Sequence, residues 1–203
     1  MTHALISLIR EHQTITLLVE GLAGFAERLE NTVPARTEQN DLDNFARFFR
    51  EFADEIHHEK EENILLPMLT RHGFCWEEGI LAEVRQDHEH ERYLIDVLCQ
   101  AGERDGAWSA EDRRSIAATA RALVDFQRAH LARENEDLFP EVTRQLPAAV
   151  LAELRDGLAR FDEVPRHRTL SLALSRVAER LARRYRADAR KTGISDAVPH
   201  AAE

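Results

Sequence analysis

The sequence has few cysteines, few basic residues and no long apolar run. Cys75 and Cys99 are its only cysteines, too few for a disulfide framework, so we expect a reducing cytoplasm. The apolar runs are far shorter than the about 20 residues of a membrane span, and the N-terminal stretch does not resemble a signal peptide. Because 27 Lys and Arg face 37 Asp and Glu, the net charge is −10, which argues against nucleic acid as a partner.

Glycine and proline are also scarce, at eight and six residues, which favours long helices over many short strands and turns. Four long segments carry apolar residues every three or four positions, the period of an amphipathic helix: 3–31, 39–70, 77–101 and 110–145. Two shorter helices are predicted, over 147–161 and 168–189. The sequence therefore predicts an all-α fold, an antiparallel up-down four-helix bundle with two additional C-terminal helices. The predicted domains are a four-helix bundle at 1–146, a packed helical extension at 147–190 and a flexible tail at 191–203.

Ten histidines stand out in a chain of this length, and four of them belong to an internal repeat. The spacing of His57, Glu61, Leu65 and Pro67 recurs at His130, Glu134, Leu138 and Pro140. His12 and His88 each lie within the apolar stripe of their own helix, at matching positions. The chain therefore consists of two consecutive hairpins, each with one His helix and one His-x-x-x-Glu helix.

A histidine and a glutamate four residues apart lie on one face of a helix, so both can reach the same point inside a bundle. Facing helices of a four-helix bundle can hold a pair of metal ions in this way, and imidazole with carboxylate suits iron, manganese or zinc. The alternatives are a helix-surface ion pair, which explains any single His-x-x-x-Glu, and buried histidines with ordinary hydrogen-bond partners. The shared Leu and Pro positions favour the metal site.

These motifs resemble the hemerythrin family, in its HHE cation-binding branch, over about residues 3–145. The resemblance rests on Glu11-His12, on His57-His58-Glu59-Lys60-Glu61-Glu62 with Pro67, on Asp87-His88, and on His130 to Glu134 with Leu138-Phe139-Pro140. It implies an antiparallel bundle that holds a non-haem di-iron centre with an oxo or hydroxo bridge. The implied ligands are His12 and His57 for one iron, His88 and His130 for the other, and Glu61 and Glu134 as bridges.

The sequence departs from the oxygen-carrying hemerythrins at two positions. Arg92 stands where those proteins have a second histidine one turn after the His88 position. Glu134, four residues after His130, takes the place of an aspartate that those proteins have five residues after the histidine. Six ligands are therefore predicted by motif. Further ligands could come from four side chains that we expect to lie at the surface instead: His58, Glu62, His90 and His167. Glu11 and Asp87 could orient imidazoles, but as sequence neighbours of His12 and His88 they are also expected at the surface.

The resemblance implies a protein that handles a small diatomic molecule or peroxide. Reversible binding of oxygen or nitric oxide, sensing, and catalase-like disproportionation of peroxide all remain open, so catalysis is not settled by the sequence. One alternative is an iron donor for the repair of iron–sulfur clusters. Another is an iron-dependent or oxygen-dependent sensor that docks on a partner protein through its basic C-terminal helix.

Overall fold

A computed structural model describes the backbone of residues 3–102 and 106–191, and the side chains of 3–101 and 106–186. This part of the chain contains six helices and no β-strand. They are α1 (Ile6–Asn31, after a short 3-10 turn at His3–Leu5), α2 (36–71), α3 (Ile80–Gly102), α4 (110–145), α5 (Ala148–Asp162) and α6 (Pro165–Lys191). The all-α prediction is confirmed; most of the predicted tail, residues 192–203, lies outside the described residues. None of the described helices is long and apolar enough to cross a membrane.

Helices α2 and α4 are interrupted by wider π-helical turns at the repeated motif. In α2 these turns are Phe49–His58 and Glu61–Leu65, and in α4 the turn is Glu134–Leu138. After each Glu turn, the N–H of the following residue donates to the carbonyl of the glutamate five positions earlier, and a proline follows one residue later. Proline cannot donate a backbone hydrogen bond, so it fits where the helical ladder is already broken. Such turns are frequent at functional sites because they change the direction of side chains.

Two apolar clusters fill the interior. The first is rich in phenylalanine and contains Phe25, Phe45, Phe48, Phe49 and Phe52, all buried. The second, at the other end of the long helices, is rich in leucine and takes Leu154 and Leu158 from α5. The polar residues of the repeat, such as His57 and Glu61, belong to neither cluster although they are fully buried.

Helix α6 packs closely along α1. A Cβ added at Gly24 would lie 2.6 Å from the carbonyl oxygen of Tyr185, so only glycine allows this approach of the two helices. Tyr185 is buried against Phe25 and Phe45, and its hydroxyl donates a 2.8 Å hydrogen bond to the buried carboxylate of Asp41. Arg180 and Arg184 form ion pairs with the same carboxylate. The C-terminal helix therefore shares the phenylalanine-rich core with the long helices.

Candidate metal centre

The structure brings together all six side chains that the sequence singled out. They come from four helices: His12 on α1, His57 and Glu61 on α2, His88 on α3, and His130 and Glu134 on α4. All six are buried. The Nε2 atom of His12 lies 3.1 Å from Nε2 of His57 and 3.1 Å from Oε2 of Glu134. On the opposite side, Nε2 of His88 lies 3.3 Å from Oε2 of Glu61.

These side chains form two groups that share both glutamates. One group is His12, His57, Glu61 and Glu134; the other is His88, His130, Glu61 and Glu134. Within each group, one ligand atom from every residue lies within 4.8 Å of the others. Nitrogen and oxygen ligands bind a metal ion at about 2.0–2.2 Å, so neighbouring ligands on one ion lie about 3 Å apart. The geometry can therefore accommodate two cations with the glutamates between them.

The atoms that face the centre are short of hydrogen-bond partners. Both carboxylate oxygens of Glu61 and of Glu134 are buried without a partner in the described part of the chain, and so are Nε2 of His88 and Nε2 of His130. Burying an uncompensated carboxylate is strongly unfavourable, because the charge loses its hydration. Cations between these atoms would remove that cost, so the donor set fits a metal centre.

The outer nitrogen of each imidazole is held by a neighbouring helix. The Nδ1–H of His57 donates to Glu11 at 3.1 Å and that of His88 donates to Glu62 at 2.8 Å. For His130 the acceptor is Asp87, at 3.3 Å, and for His12 it is the amide oxygen of Asn135, at 3.0 Å. A carboxylate or carbonyl at Nδ1 selects the tautomer whose Nε2 carries a lone pair, which is the form that ligates metals.

Glu11 is buried, so the prediction that it lies at the surface is wrong, and Asp87 is only partly exposed, at 17% of its side chain. Neighbouring residues of a helix point about 100° apart, so Glu11 cannot serve His12, but it faces His57 on the adjacent helix, and Asp87 likewise faces His130. Each carboxylate also pairs with a basic residue, Lys60 for Glu11 and Arg133 for Asp87. Lys60 and Arg133 are 73 residues apart, the interval that separates His57 from His130, so the repeat extends to these outer partners.

Burial and neighbouring charges decide the charge states of the centre. Burial lowers the pKa of His57 well below its usual value, so this imidazole is neutral at physiological pH. Burial also opposes protonation of His12, His88 and His130, but the neighbouring carboxylates outweigh it and raise the pKa of all three. Burial opposes ionisation of Glu134, but the neighbouring His130 and His12 outweigh it and lower the pKa of this carboxyl to about 2. The metal-free centre thus combines a neutral His57 and an ionised Glu134 with imidazoles whose protons a bound cation would displace.

The four additional ligand candidates occupy different environments. His58 is buried, contrary to expectation, and its ring stacks on that of His88 with centroids 3.8 Å apart. Its ligand atom lies within 4.8 Å of those of His88 and His130. Glu62 is half-buried and holds the outer nitrogen of His88. His90 is exposed, as expected, and the partly buried His167 donates from Nδ1 to the carbonyl of Phe161.

Arg92, the residue that departs from the oxygen carriers, supports the centre from outside. Its guanidinium donates to Asp54 and to Glu62, each at 2.7 Å. Glu62 in turn holds His88, so Arg92 fixes an imidazole from behind instead of providing one. This contact could not be predicted from the sequence, because it depends on how α2 and α3 pack.

The chain is similar to proteins of mycobacteria. Uncharacterized proteins from Mycobacterium bovis and from two strains of Mycobacterium tuberculosis are each 25% identical to it over 179 residues, which is 86% of this chain. The chain spans about two thirds, 66%, of the length of these relatives.

The strongest comparison is with a family profile, described as the hemerythrin HHE cation binding domain, which matches residues 3–142. That segment contains all six side chains of the candidate centre and both halves of the repeat. It also covers α1, α2 and α3 and nearly all of α4. The chain belongs to the hemerythrin HHE cation-binding domain family.

Proposed function

We propose that this chain binds two iron ions between its four long helices. The ligands are His12 and His57 for one ion, His88 and His130 for the other, and Glu61 and Glu134 between the two. One observation carries the proposal: two four-residue groups share both glutamates, and the carboxylate oxygens of those glutamates have no hydrogen-bond partner in the described residues although they lie 3.1–3.7 Å from imidazole nitrogens of the same groups. Two bridging carboxylates offset part of the charge of two cations, which would otherwise repel each other strongly.

Iron is the metal that the family implies, and the donor set agrees with it. Mixed imidazole and carboxylate ligands suit iron, manganese or zinc, whereas thiolate ligands are typical of structural zinc sites. Neither cysteine belongs to the centre: Cys75 is exposed beside Glu77 and Glu78, and Cys99 packs against the phenylalanine-rich cluster.

We infer a role in handling oxygen, peroxide or nitric oxide, either by reversible binding or by catalase-like disproportionation of peroxide. Two irons supply a reversible change of oxidation state toward such molecules. The protein contributes the surroundings: the two apolar clusters limit the access of water, and the carboxylates behind the imidazoles fix their orientation. His12 packs against Phe139, with ring centroids 5.1 Å apart, which keeps that side of the centre apolar.

The fold proposed for this role is an antiparallel up-down bundle of α1 to α4, with α5 and α6 as an extension packed on it. Of the alternatives, the sensor module would use the basic face of α6 for docking. However, Arg180 and Arg184 of that helix are engaged with Asp41 inside the protein. No specific contact favours the iron-donor function, so the oxygen, peroxide and nitric oxide role is the better supported one.

Iron loading tests the proposal. The metal-free protein should take up two equivalents of Fe²⁺ without oxygen, and its optical spectrum should then change on addition of oxygen, peroxide or nitric oxide. Glu61→Ala and Glu134→Ala should lose iron while circular dichroism shows an unchanged helix content. His90→Ala, a change at an exposed histidine, should keep both irons. A Glu61→Ala protein that retains full iron occupancy would show that the carboxylate does not bridge.

A further inference from the structure

The internal repeat is broken on one side of the centre. Glu91 on α3 lies 76 residues after Ile15 on α1, the same interval that separates His88 from His12. His58 on α2 lies 73 residues before Leu131 on α4, the interval of the second half of the repeat. Ile15 and Leu131 are buried apolar residues, whereas Glu91 and His58 are buried polar ones. The half of the centre that contains His88 therefore has two polar groups that the other half lacks.

Glu91 has one close polar neighbour among the described residues, His58. Its side chain is fully buried, and neither of its carboxylate oxygens meets the geometry of a hydrogen bond. Its Oε2 lies 3.2 Å from Nε2 of His58, which is an ion-pair distance when that imidazole is protonated. The same relationship, a short nitrogen–oxygen distance with the carboxylate oxygen unpartnered, links His88 to Glu61. Such pairs are expected where both atoms point to one metal ion.

His58 also faces a carboxylate on its outer side, although its Nδ1 has no hydrogen-bond partner among the described residues. This nitrogen lies 3.6 Å from Oδ1 of Asp54, a carboxylate that Arg92 holds at 2.7 Å. The order of imidazole, carboxylate and basic residue is that of His57, Glu11 and Lys60, with a longer distance between imidazole and carboxylate. With its outer nitrogen toward Asp54, the ring presents Nε2 to Glu91 and places a ligand atom near those of His88 and His130.

We propose that His58 and Glu91 are two further ligands of the metal ion that His88 and His130 hold. This inference rests on the proposed two-iron function and makes the two ions inequivalent. One ion would then have three imidazoles and the two bridging glutamates around it, and Glu91, which lies beside His58, would turn toward it as the sixth ligand. The other ion has two imidazoles and the same bridges, so it keeps open positions for an added ligand. A third carboxylate also offsets more of the charge of the cations.

The alternative is a buried ion pair between a protonated His58 and Glu91 that has no role in metal binding. The metal affinities of the variants separate the two. If Glu91 is a metal ligand, Glu91→Gln should weaken the binding of one metal ion, whatever the metal-free protein pairs it with. If Glu91 is only the partner of a charged His58, the same change should lower the melting temperature of the metal-free protein and leave both metal affinities unchanged.

Titration of the metal-free full-length chain with Zn²⁺, a redox-inert probe, tests the ligand assignment. The wild-type protein should bind two ions. Glu91→Gln and His58→Leu should each weaken one of them at least 10-fold and leave the other unchanged. His58→Leu installs the residue that the repeat has at Leu131, so folding should be retained. The matched control is Ile15→Val, at the position equivalent to Glu91, which should keep both affinities.

Two results would overturn the inference: wild-type affinities for both ions in Glu91→Gln and His58→Leu, or an equal loss at both ions. Failure of the proposed function is a different result, since the wild-type protein itself would then bind fewer than two ions.

Discussion

The carboxylate of Glu11 accepts a hydrogen bond from Nδ1 of His57, 3.1 Å away on the next helix. Glu11 also pairs with the buried ammonium of Lys60, which in turn contacts Asp162 at 2.9 Å. Asp162 ends α5. A continuous chain of contacts therefore runs from the C-terminal helices through Lys60 and Glu11 to an imidazole of the candidate centre.

Replacement of Glu11 by alanine should affect stability and metal binding together. The change leaves Lys60 buried without one of its two carboxylates and frees the ring of His57. We expect a loss of about 3 kcal/mol in unfolding free energy, at the low end for a broken buried ion pair because Asp162 remains. The affinity for one metal ion should fall about 10–100-fold, as is usual when the partner behind a ligand histidine is lost.

Urea denaturation and Zn²⁺ titration measure the two effects of Glu11→Ala. Asp156→Ala is the control, since it removes an exposed carboxylate whose ion pair with Arg155 contributes about 0–1 kcal/mol. If Glu11→Ala changed stability but left both metal affinities intact, Glu11 would not orient His57.

Removal of the Tyr185 hydroxyl should weaken the attachment of α6. In Tyr185→Phe, Asp41 loses a 2.8 Å hydrogen bond but keeps Arg180 and Arg184. We expect a loss of about 1–2 kcal/mol in unfolding free energy. Tyr93 is 63% exposed, so Tyr93→Phe should be neutral in the same thermal or urea denaturation. Equal effects of the two variants would contradict this assignment of stability to the Asp41 contact.

Two glycines give opposite expectations, Gly24 at the contact between α1 and α6 and Gly157 on α5. Gly24→Ala places a Cβ against the backbone of Tyr185, which cannot move without shifting α6, and should cost about 1–3 kcal/mol. At Gly157 the added Cβ meets only side chains, Ile64 at 3.2 Å and Arg160 at 3.9 Å, and a small rotation can relieve the closer contact. Gly157→Ala should therefore be neutral or stabilise by up to about 1 kcal/mol, through helix propensity. A neutral Gly24→Ala in calorimetry would contradict the close packing.

The inward-facing residues could be predicted from the sequence because they obey two local rules. His57 and Glu61 share a helix face, and the same pair recurs as His130 and Glu134. A repeated pair indicates a shared role more strongly than a single His-x-x-x-Glu does. The helical fold followed from the same periodicity. The π-helical turns were not predicted, although the proline that follows each Glu motif, at Pro67 and Pro140, is their sequence signal.

The outer partners could not be predicted in the same way because they act across helices. Glu11 follows the spacing of the repeat, but it accepts a hydrogen bond from His57, which lies 46 positions away in the sequence. The contacts of Arg92 with Asp54 and Glu62 likewise depend on how two helices pack. The break of the repeat at Glu91 was visible in the sequence, since Ile15 is its counterpart, and a comparison of the two halves position by position would have revealed it.

The most direct test of the two-metal centre is a crystal structure of the iron-loaded protein with anomalous diffraction at the iron absorption edge. A two-metal centre predicts two anomalous peaks about 3–4 Å apart. One peak should lie between His12 and His57 and the other between His88 and His130, with Glu61 and Glu134 in contact with both. A single peak, or iron bound away from these six side chains, would contradict it.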